Sequence, residues 1–164
     1  MLWIIILIIA AIILYNVIKS KLEDRRIKKN IEIRNQRRDE LEKKANRGDS
    51  VAQVELSNWY LDEWRRYNLD SELKMGYYWR WVAVYNGFHT GAVNAFTDNM
   101  NQFIPMANGS SSQSSLAAKV LRTMKKAEEE VYRDRKLYKE RFPMDVGDNP
   151  QVKELHEMIK QWNY

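Results

Sequence analysis

Ten of the chain's nineteen aromatic residues lie between Trp59 and Phe88. Around them, apolar side chains recur every three or four residues in two segments, and this spacing predicts α-helices. The inward positions of the first segment are Ala52, Leu56, Trp59, Tyr60 and Glu63. Those of the second are Met75, Tyr78, Trp79, Val82 and Ala83. Because only a short break near residues 68–70 separates the segments, they predict a helical hairpin.

Local signals at the ends of both segments support the hairpin. Asp49 or Ser50 can cap the first helix, since a short side-chain oxygen accepts from the unpaired amides of a first turn. The second helix is expected to begin after Asp70 or Ser71. Gly87 is expected to end it, because glycine tolerates the positive φ common after a helix.

The spaced small and aromatic residues of this hairpin form a motif that extends back to Ala45. The matching positions are Ala45, Gly48, Ala52, Gln53, Leu56, Tyr60, Asp70, Lys74, Trp79, Ala83 and Gly87. The pattern resembles the Sel-one-like repeat, a relative of the tetratricopeptide repeat. Three features depart from it: Ser57 replaces a glycine, the predicted loop DEWRRYNL lacks glycines, and Met75 and Val84 replace alanines. The resemblance implies a helical scaffold or adaptor, often bacterial.

The run Met1–Ile18 contains no charged side chain. As a helix it would be about 27 Å long, which is the short end of what a bilayer core requires. Trp3 and Tyr15 stand near its two ends, where amphipathic rings favour the membrane interface. A cleaved signal peptide would need a basic start and a small-residue cleavage site, and neither is present. Residues 1–18 are therefore predicted to be a transmembrane helix.

The stalk that follows is basic. Residues 19–50 carry twelve Lys or Arg against seven Asp or Glu, so they account for the whole chain's net charge of +5. Basic groups placed beside a span favour anionic lipid headgroups, and a nucleic-acid site would instead want them on the folded part. The residues expected at the membrane surface are Lys19, Lys21, Arg25, Arg26, Lys28 and Lys29. By the positive-inside rule the following domain faces the cytoplasm.

The predicted fold class is all-α: a single N-terminal transmembrane helix followed by a small helical-hairpin domain. The segments are a transmembrane helix (1–18), a basic helical stalk (19–44), the repeat region (45–106), a Ser-rich linker (107–115) and C-terminal helices packing on the repeat (116–164). A helix from residue 91 is expected to end at Pro105, and another from residue 117 is expected to run to Phe142. A last helix begins at Pro150.

The sequence shows no catalytic constellation. His89 and His156 stand far apart with no acidic ligand spacing around either, so no metal site is expected and both are interpreted as surface or turn residues. The run Glu128–Glu130 is interpreted as a solvated helix face. No phosphate-binding glycine loop or nucleophile motif occurs. The chain is therefore expected not to be an enzyme, and it is expected to bind no cofactor, nucleic acid or small-molecule substrate.

A second aromatic face remains on the second hairpin helix. Tyr77, Trp81 and Tyr85 recur at i, i+4 and i+8, and Trp81 lies about 200° around the helix from Trp79. Either the 117–142 helix covers this face or a partner does. Because Tyr and Trp are common interface anchors, the face is interpreted as a partner site, with Trp64 as its rim.

These features predict a membrane-anchored, non-catalytic protein–protein interaction module. It would be a scaffold or adaptor in a bacterial inner (cytoplasmic) membrane, single-pass, with its C-terminal domain in the cytoplasm. Two alternatives stay open: an immunity protein that neutralises a secreted antibacterial toxin, and a structural subunit of a membrane complex. Ala10 and Ala11 are too few small residues to favour close packing against other spans.

Overall fold

The structure is a computed structural model that describes the backbone of residues 2–87, 89–109 and 113–160. The side chains of residues 2, 4–11, 89–93, 95 and 97 lie outside the described part. Every described element is helical, which confirms the all-α prediction for this part of the chain. The helices are α1 (Leu2–Asn46), α2 (Ser50–Tyr67), α3 (Asp70–Tyr85), α4 (His89–Asn108), α5 (Ser114–Leu137), a short 3₁₀ helix (Lys139–Arg141) and α6 (Pro150–Lys160).

The chain divides into two compact units, residues 1–39 and residues 40–164. The first unit is the larger part of α1, and the six basic side chains expected at the membrane surface are exposed. Among the described residues, no helix combines the length and the apolar character needed to cross a membrane. Most side chains of the predicted transmembrane helix (1–18) lie outside the described residues.

The α2–α3 hairpin forms where the sequence predicts it. The side chain of Asp49 accepts hydrogen bonds from the amides of Val51 and Ala52, at 3.1 and 3.0 Å, and so caps α2. Asn68 adopts a left-handed conformation that ends α2, and Gly87 has a φ of +85° just after α3. The connection is shorter than predicted, because α2 continues through most of the expected loop and includes Trp64.

Helix α3 is the centre of the second unit and packs against α2, α4 and α5. All ten of its residues from Gly76 to Tyr85 are buried. Gly76 allows α2 to approach closely, because a Cβ at this position would lie 2.7 Å from the side chain of Leu61. A helix that is apolar on all sides is stable only when neighbours cover it, and here α2, α4 and α5 do so.

Helix α4 differs from its predicted extent. It continues to Asn108 with Pro105 inside it, whereas the proline was expected to end it. Proline in a helix interior loses one backbone hydrogen bond. Ile104 and Ala107, on either side of Pro105, are partly buried against the core, and this apolar contact offsets the lost bond.

The inward face of α5 is as predicted, since Val120, Leu121, Met124, Ala127 and Val131 are fully buried. The helix ends at Leu137, not at Phe142 as predicted. The chain then turns through the 3₁₀ helix and buries Phe142 in the core. Buried Val152, Leu155 and Ile159 hold α6 to the same unit.

A buried polar network ties this C-terminal turn to the hairpin. The amide of Asn86 donates to Gln53 Oε1 at 3.0 Å and to the carbonyl of Arg141 at 2.6 Å. The amide of Gln53 donates to the same Arg141 carbonyl at 3.2 Å and to the carbonyl of Ala45 at 2.9 Å. Because buried polar groups are costly when unpaired, this network fixes where the chain leaves α5 and turns toward α6.

Alkaline titration gives a first prediction. Burial raises the pKa of Tyr77 to about 12, and nearby Arg80 opposes the rise. Because the pKa of Tyr77 is higher in the folded state than in the unfolded state, the stability that this residue contributes is fully present below pH 10 and is lost as pH rises through 12. The rise of its pKa from 10.0 to about 12 corresponds to about 2.7 kcal/mol of the free energy of unfolding. Burial also raises the pKa values of Tyr78 and Tyr85.

We therefore expect the free energy of unfolding to fall between pH 10 and pH 12, and Tyr77→Phe to make that fall shallower. Urea unfolding at several pH values measures this. Exposed Tyr67→Phe is the matched control, and a slope equally reduced by both variants would contradict the prediction.

Candidate functional site

The loop between the 3₁₀ helix and α6 is held against the end of α3. The amide of Val146 donates to the carbonyl of Tyr85 at 2.8 Å. The guanidinium of Arg135 lies against Gly147, and any Cβ at that position would overlap it. Arg135 also pairs with Asp145, with Nε 2.8 Å from Oδ1. These contacts place the loop beside α5 and α6 and leave a cavity between them.

The cavity, here named the cationic cavity, has a volume of about 530 Å³. Its lining comes from α3, α5, the 3₁₀ helix, the following loop and α6. The lining residues are Tyr85, Tyr132, Arg135, Lys136, Lys139, Asp145, Gly147, Asp148, Val152, Lys153, His156, Glu157 and Lys160. Five are Lys or Arg and three are Asp or Glu, so the cavity is positive although residues 51–164 are neutral overall.

Each acidic residue of the lining has a basic partner within the lining. The pairs are Arg135–Asp145 at 2.8 Å, Lys153–Asp148 at 3.3 Å and Lys160–Glu157 at 3.0 Å. Lys136 and Lys139 form no ion pair with any described residue, although Lys136 Nζ lies 5.6 Å from the centre of the Tyr132 ring. The net positive charge of the cavity is therefore carried by these two lysines.

A buried acid–base group joins two residues of the cavity lining, Tyr85 and His156, through a carboxylate that does not itself line the cavity. Glu128, only 1% exposed, accepts a hydrogen bond from the Tyr85 hydroxyl at 2.7 Å and is also bonded to His156 Nδ1. The His156 ring stacks on Tyr132, with centroids 4.8 Å apart and planes at 18°. The second ring nitrogen, Nε2, lies 3.9 Å from Glu157 Oε1. One carboxylate thus joins α3, α5 and α6.

Tyr85 stays protonated in this group. Burial raises its pKa, and the charge of Glu128 and the hydrogen bond to that carboxylate raise it further, while Arg135 opposes the change. The hydroxyl is therefore a fixed donor to Glu128. Since a bond from Nδ1 to a carboxylate sets the orientation of an imidazole, Glu128 holds the His156 ring in place at the cavity wall.

The arrangement suits the binding of an anion. Lysine ammonium groups offer mobile positive charges, and an oriented imidazole offers a directional nitrogen. Within the described residues, no group of three or more Asp, Glu or His side chains is placed to hold a metal ion.

The partner site predicted from the aromatic face is wrong, because the face is not exposed. Tyr77, Trp81 and Tyr85 are 3%, 0% and 1% exposed. Trp81 stacks on Phe96 of α4 with centroids 4.2 Å apart, and its Nε1 donates to the carbonyl of Met124 of α5 at 3.1 Å. Both neighbouring helices cover the face, so its rings belong to the core.

Trp64 is not a loop rim either. It lies within α2, is partly buried against the core, and its Nε1 makes no hydrogen bond with the described residues. Of the four predicted partner-site residues, the structure places only Tyr85 at the cationic cavity.

Sequence reasoning missed the residues that form the cavity. Glu128 was interpreted as solvated and His156 as a surface or turn residue, but Glu128 is buried and His156 is bonded to it. A signal was present for Glu128, because it follows Ala127 and Met124 on the inward side of α5. No local signal pairs it with His156, which is 28 residues away.

Comparison with known proteins identifies no relative: no family model, curated protein or solved structure matches the chain.

Proposed function

We propose that this chain is a membrane-tethered, non-catalytic module that binds another protein at the cationic cavity. The observation that carries the proposal is the pair Lys136 and Lys139, which bring positive charge to a cavity without an acidic partner among the described residues. Complementary charge at an interface increases the association rate and selects the partner.

Apolar side chains beside the cavity favour a protein as the ligand. Leu137 is 72% exposed and directly follows Lys136, and Met144 is 69% exposed and directly precedes Asp145. Tyr138 between the two lysines is 44% exposed. Protein interfaces combine an apolar centre with a polar rim, and a partner protein can use both the charged cavity and these exposed side chains.

The tether is the N-terminal segment. Residues 1–18 would form a single-pass anchor in a bacterial inner (cytoplasmic) membrane, and the basic residues that follow would lie near anionic headgroups. The same basic residues would keep the helical unit in the cytoplasm. The resemblance of the α2–α3 hairpin to a Sel-one-like repeat gives separate support to a scaffold or adaptor role.

Site-specific photo-crosslinking in cells tests the proposal. A photoreactive amino acid at Lys153, which lines the cavity, is expected to capture one defined partner that mass spectrometry identifies. The double charge reversal Lys136→Glu and Lys139→Glu should abolish this crosslink, because it makes the cavity negative. Equal capture by the probe at exposed Lys126, which lies on α5 outside the cavity lining, or a crosslink that survives the charge reversal would contradict the proposal.

A further inference from the structure

We infer that the cationic cavity binds a segment rich in carboxylates. His156 donates a hydrogen bond to one of these carboxylates and takes up a proton when the segment binds. The inference rests on the proposed function and adds the chemical class of the ligand. Binding is then stronger at mildly acidic pH.

The orientation of the imidazole is the first argument. Nδ1 is committed to Glu128, which is itself fixed by the Tyr85 hydroxyl. The ring is further held by its stacking on Tyr132. The side chain of His156 is 12% exposed and lines the cavity. Nε2 makes no hydrogen bond with the described residues, since Glu157 Oε1 is 3.9 Å away, and it donates one to a ligand when the ring is positively charged.

The charges around the ring are the second argument. Glu128 contacts the ring directly, and Glu157 Oε1 lies 3.9 Å from Nε2. The basic groups that line the same cavity are Arg135, Lys136, Lys139, Lys153 and Lys160, and the other titratable groups are Tyr85, Tyr132, Asp145 and Asp148. A bound carboxylate adds one more negative neighbour and so favours proton uptake.

The ligand class follows from how the positive charge is carried. Arg135, the group suited to a bidentate grip on one anion, is already paired with Asp145. The cations of the lining that form no ion pair with a described residue are Lys136 and Lys139, two separate ammonium groups on flexible stems. A segment with several acidic side chains can pair with both lysines and with His156 at once. A single small anion would leave at least one of these three side chains without an anionic partner.

The test uses the full chain in detergent micelles and a fluorescently labelled hexaglutamate peptide, with hexaglutamine as the uncharged control. Anisotropy gives the dissociation constant from pH 8 to pH 5.5, the range in which an imidazole titrates. We expect hexaglutamate to bind about fivefold more tightly at the acidic end, the scale of one partly exposed ion pair. Hexaglutamine should bind more weakly and without this pH dependence.

Variants separate the two contributions. His156→Gln should remove the pH dependence while retaining binding at pH 8. The double variant Lys136→Gln and Lys139→Gln should bind hexaglutamate more weakly at every pH but keep the pH dependence of binding. Lys126→Gln, on the same helix and outside the cavity, should change neither.

A second measurement needs no cavity variant. The chain has two histidines, so histidine-selective labelling gives two ring signals in magnetic resonance, and His89→Gln assigns them. Hexaglutamate should move the titration midpoint of His156 to higher pH and leave that of His89 in place.

Three results would overturn the inference: equal binding of the two peptides, complete displacement of hexaglutamate by equimolar inorganic phosphate, or a pH dependence that persists in His156→Gln. If the crosslinked partner is still captured in any of these cases, the proposed function stands and only the ligand class is wrong. If hexaglutamate binds as described but no protein is captured, the inference stands and the proposed function is wrong.

Discussion

Replacing Trp81 by Ala is expected to lower the free energy of unfolding by about 3–5 kcal/mol, which is comparable with the whole stability of a small domain. The indole is fully buried, stacks on Phe96 and donates to the carbonyl of Met124. Truncation leaves a cavity where α3, α4 and α5 meet. Urea unfolding followed by circular dichroism measures the loss.

Trp79 provides the matched comparison, because it is 3% exposed and its Nε1 makes no hydrogen bond with the described residues. Trp79→Ala should cost about as much as Trp81→Ala, since large rings are removed in both cases. Trp81→Phe should cost about 1 kcal/mol more than Trp79→Phe, because only Trp81 loses a hydrogen bond. A Trp81→Ala variant as stable as the parent would contradict the assignment of this ring to the core.

Replacing Glu128 by Ala is expected to have a similarly large effect, about 3–5 kcal/mol, because it removes one member of a buried charged group. The Tyr85 hydroxyl and His156 Nδ1 would both lose their acceptor. Glu128→Gln keeps one side-chain oxygen and nearly the same shape, so it should cost about 1–3 kcal/mol. Thermal melting and urea unfolding of the full chain measure both.

Glu129→Ala is the control for this substitution. Glu129 is the next residue on α5 but is exposed, and its replacement should change stability by about 0.5 kcal/mol or less. If Glu128→Ala were as mild as Glu129→Ala, Glu128 would not join the three helices as described.

The charge distribution of the chain could be read from sequence only in part. The basic excess of residues 19–50 is a property of a segment, and composition shows it directly. The positive cavity belongs to a part of the chain that is neutral overall, so composition gives no sign of it. Tertiary packing produces it, by pairing Asp145, Asp148 and Glu157 with three cations and leaving Lys136 and Lys139 without an acidic partner among the described residues.

Local interactions determined the helices themselves. The side chain of Asp49 accepts hydrogen bonds from the first-turn amides of α2 and so caps that helix. Gly87 has the positive φ that follows α3, and the apolar spacing of α5 matches its buried face. Each of these depends on residues within a few positions of one another, and sequence patterns record such interactions. The predicted end of α4 at Pro105 is wrong, because burial of the apolar residues around Pro105 outweighs a local helix-stop signal.

Tertiary structure decided which apolar face of α3 is covered and which charged residues are buried. Trp79 and Trp81 have the same chemistry and lie on different faces of one helix, and only the positions of α2, α4 and α5 show that both are core. Glu128 bonds residues 43 positions before it and 28 after it. Periodicity reports which side of a helix is apolar, but contacts between segments far apart in sequence depend on how the whole unit packs.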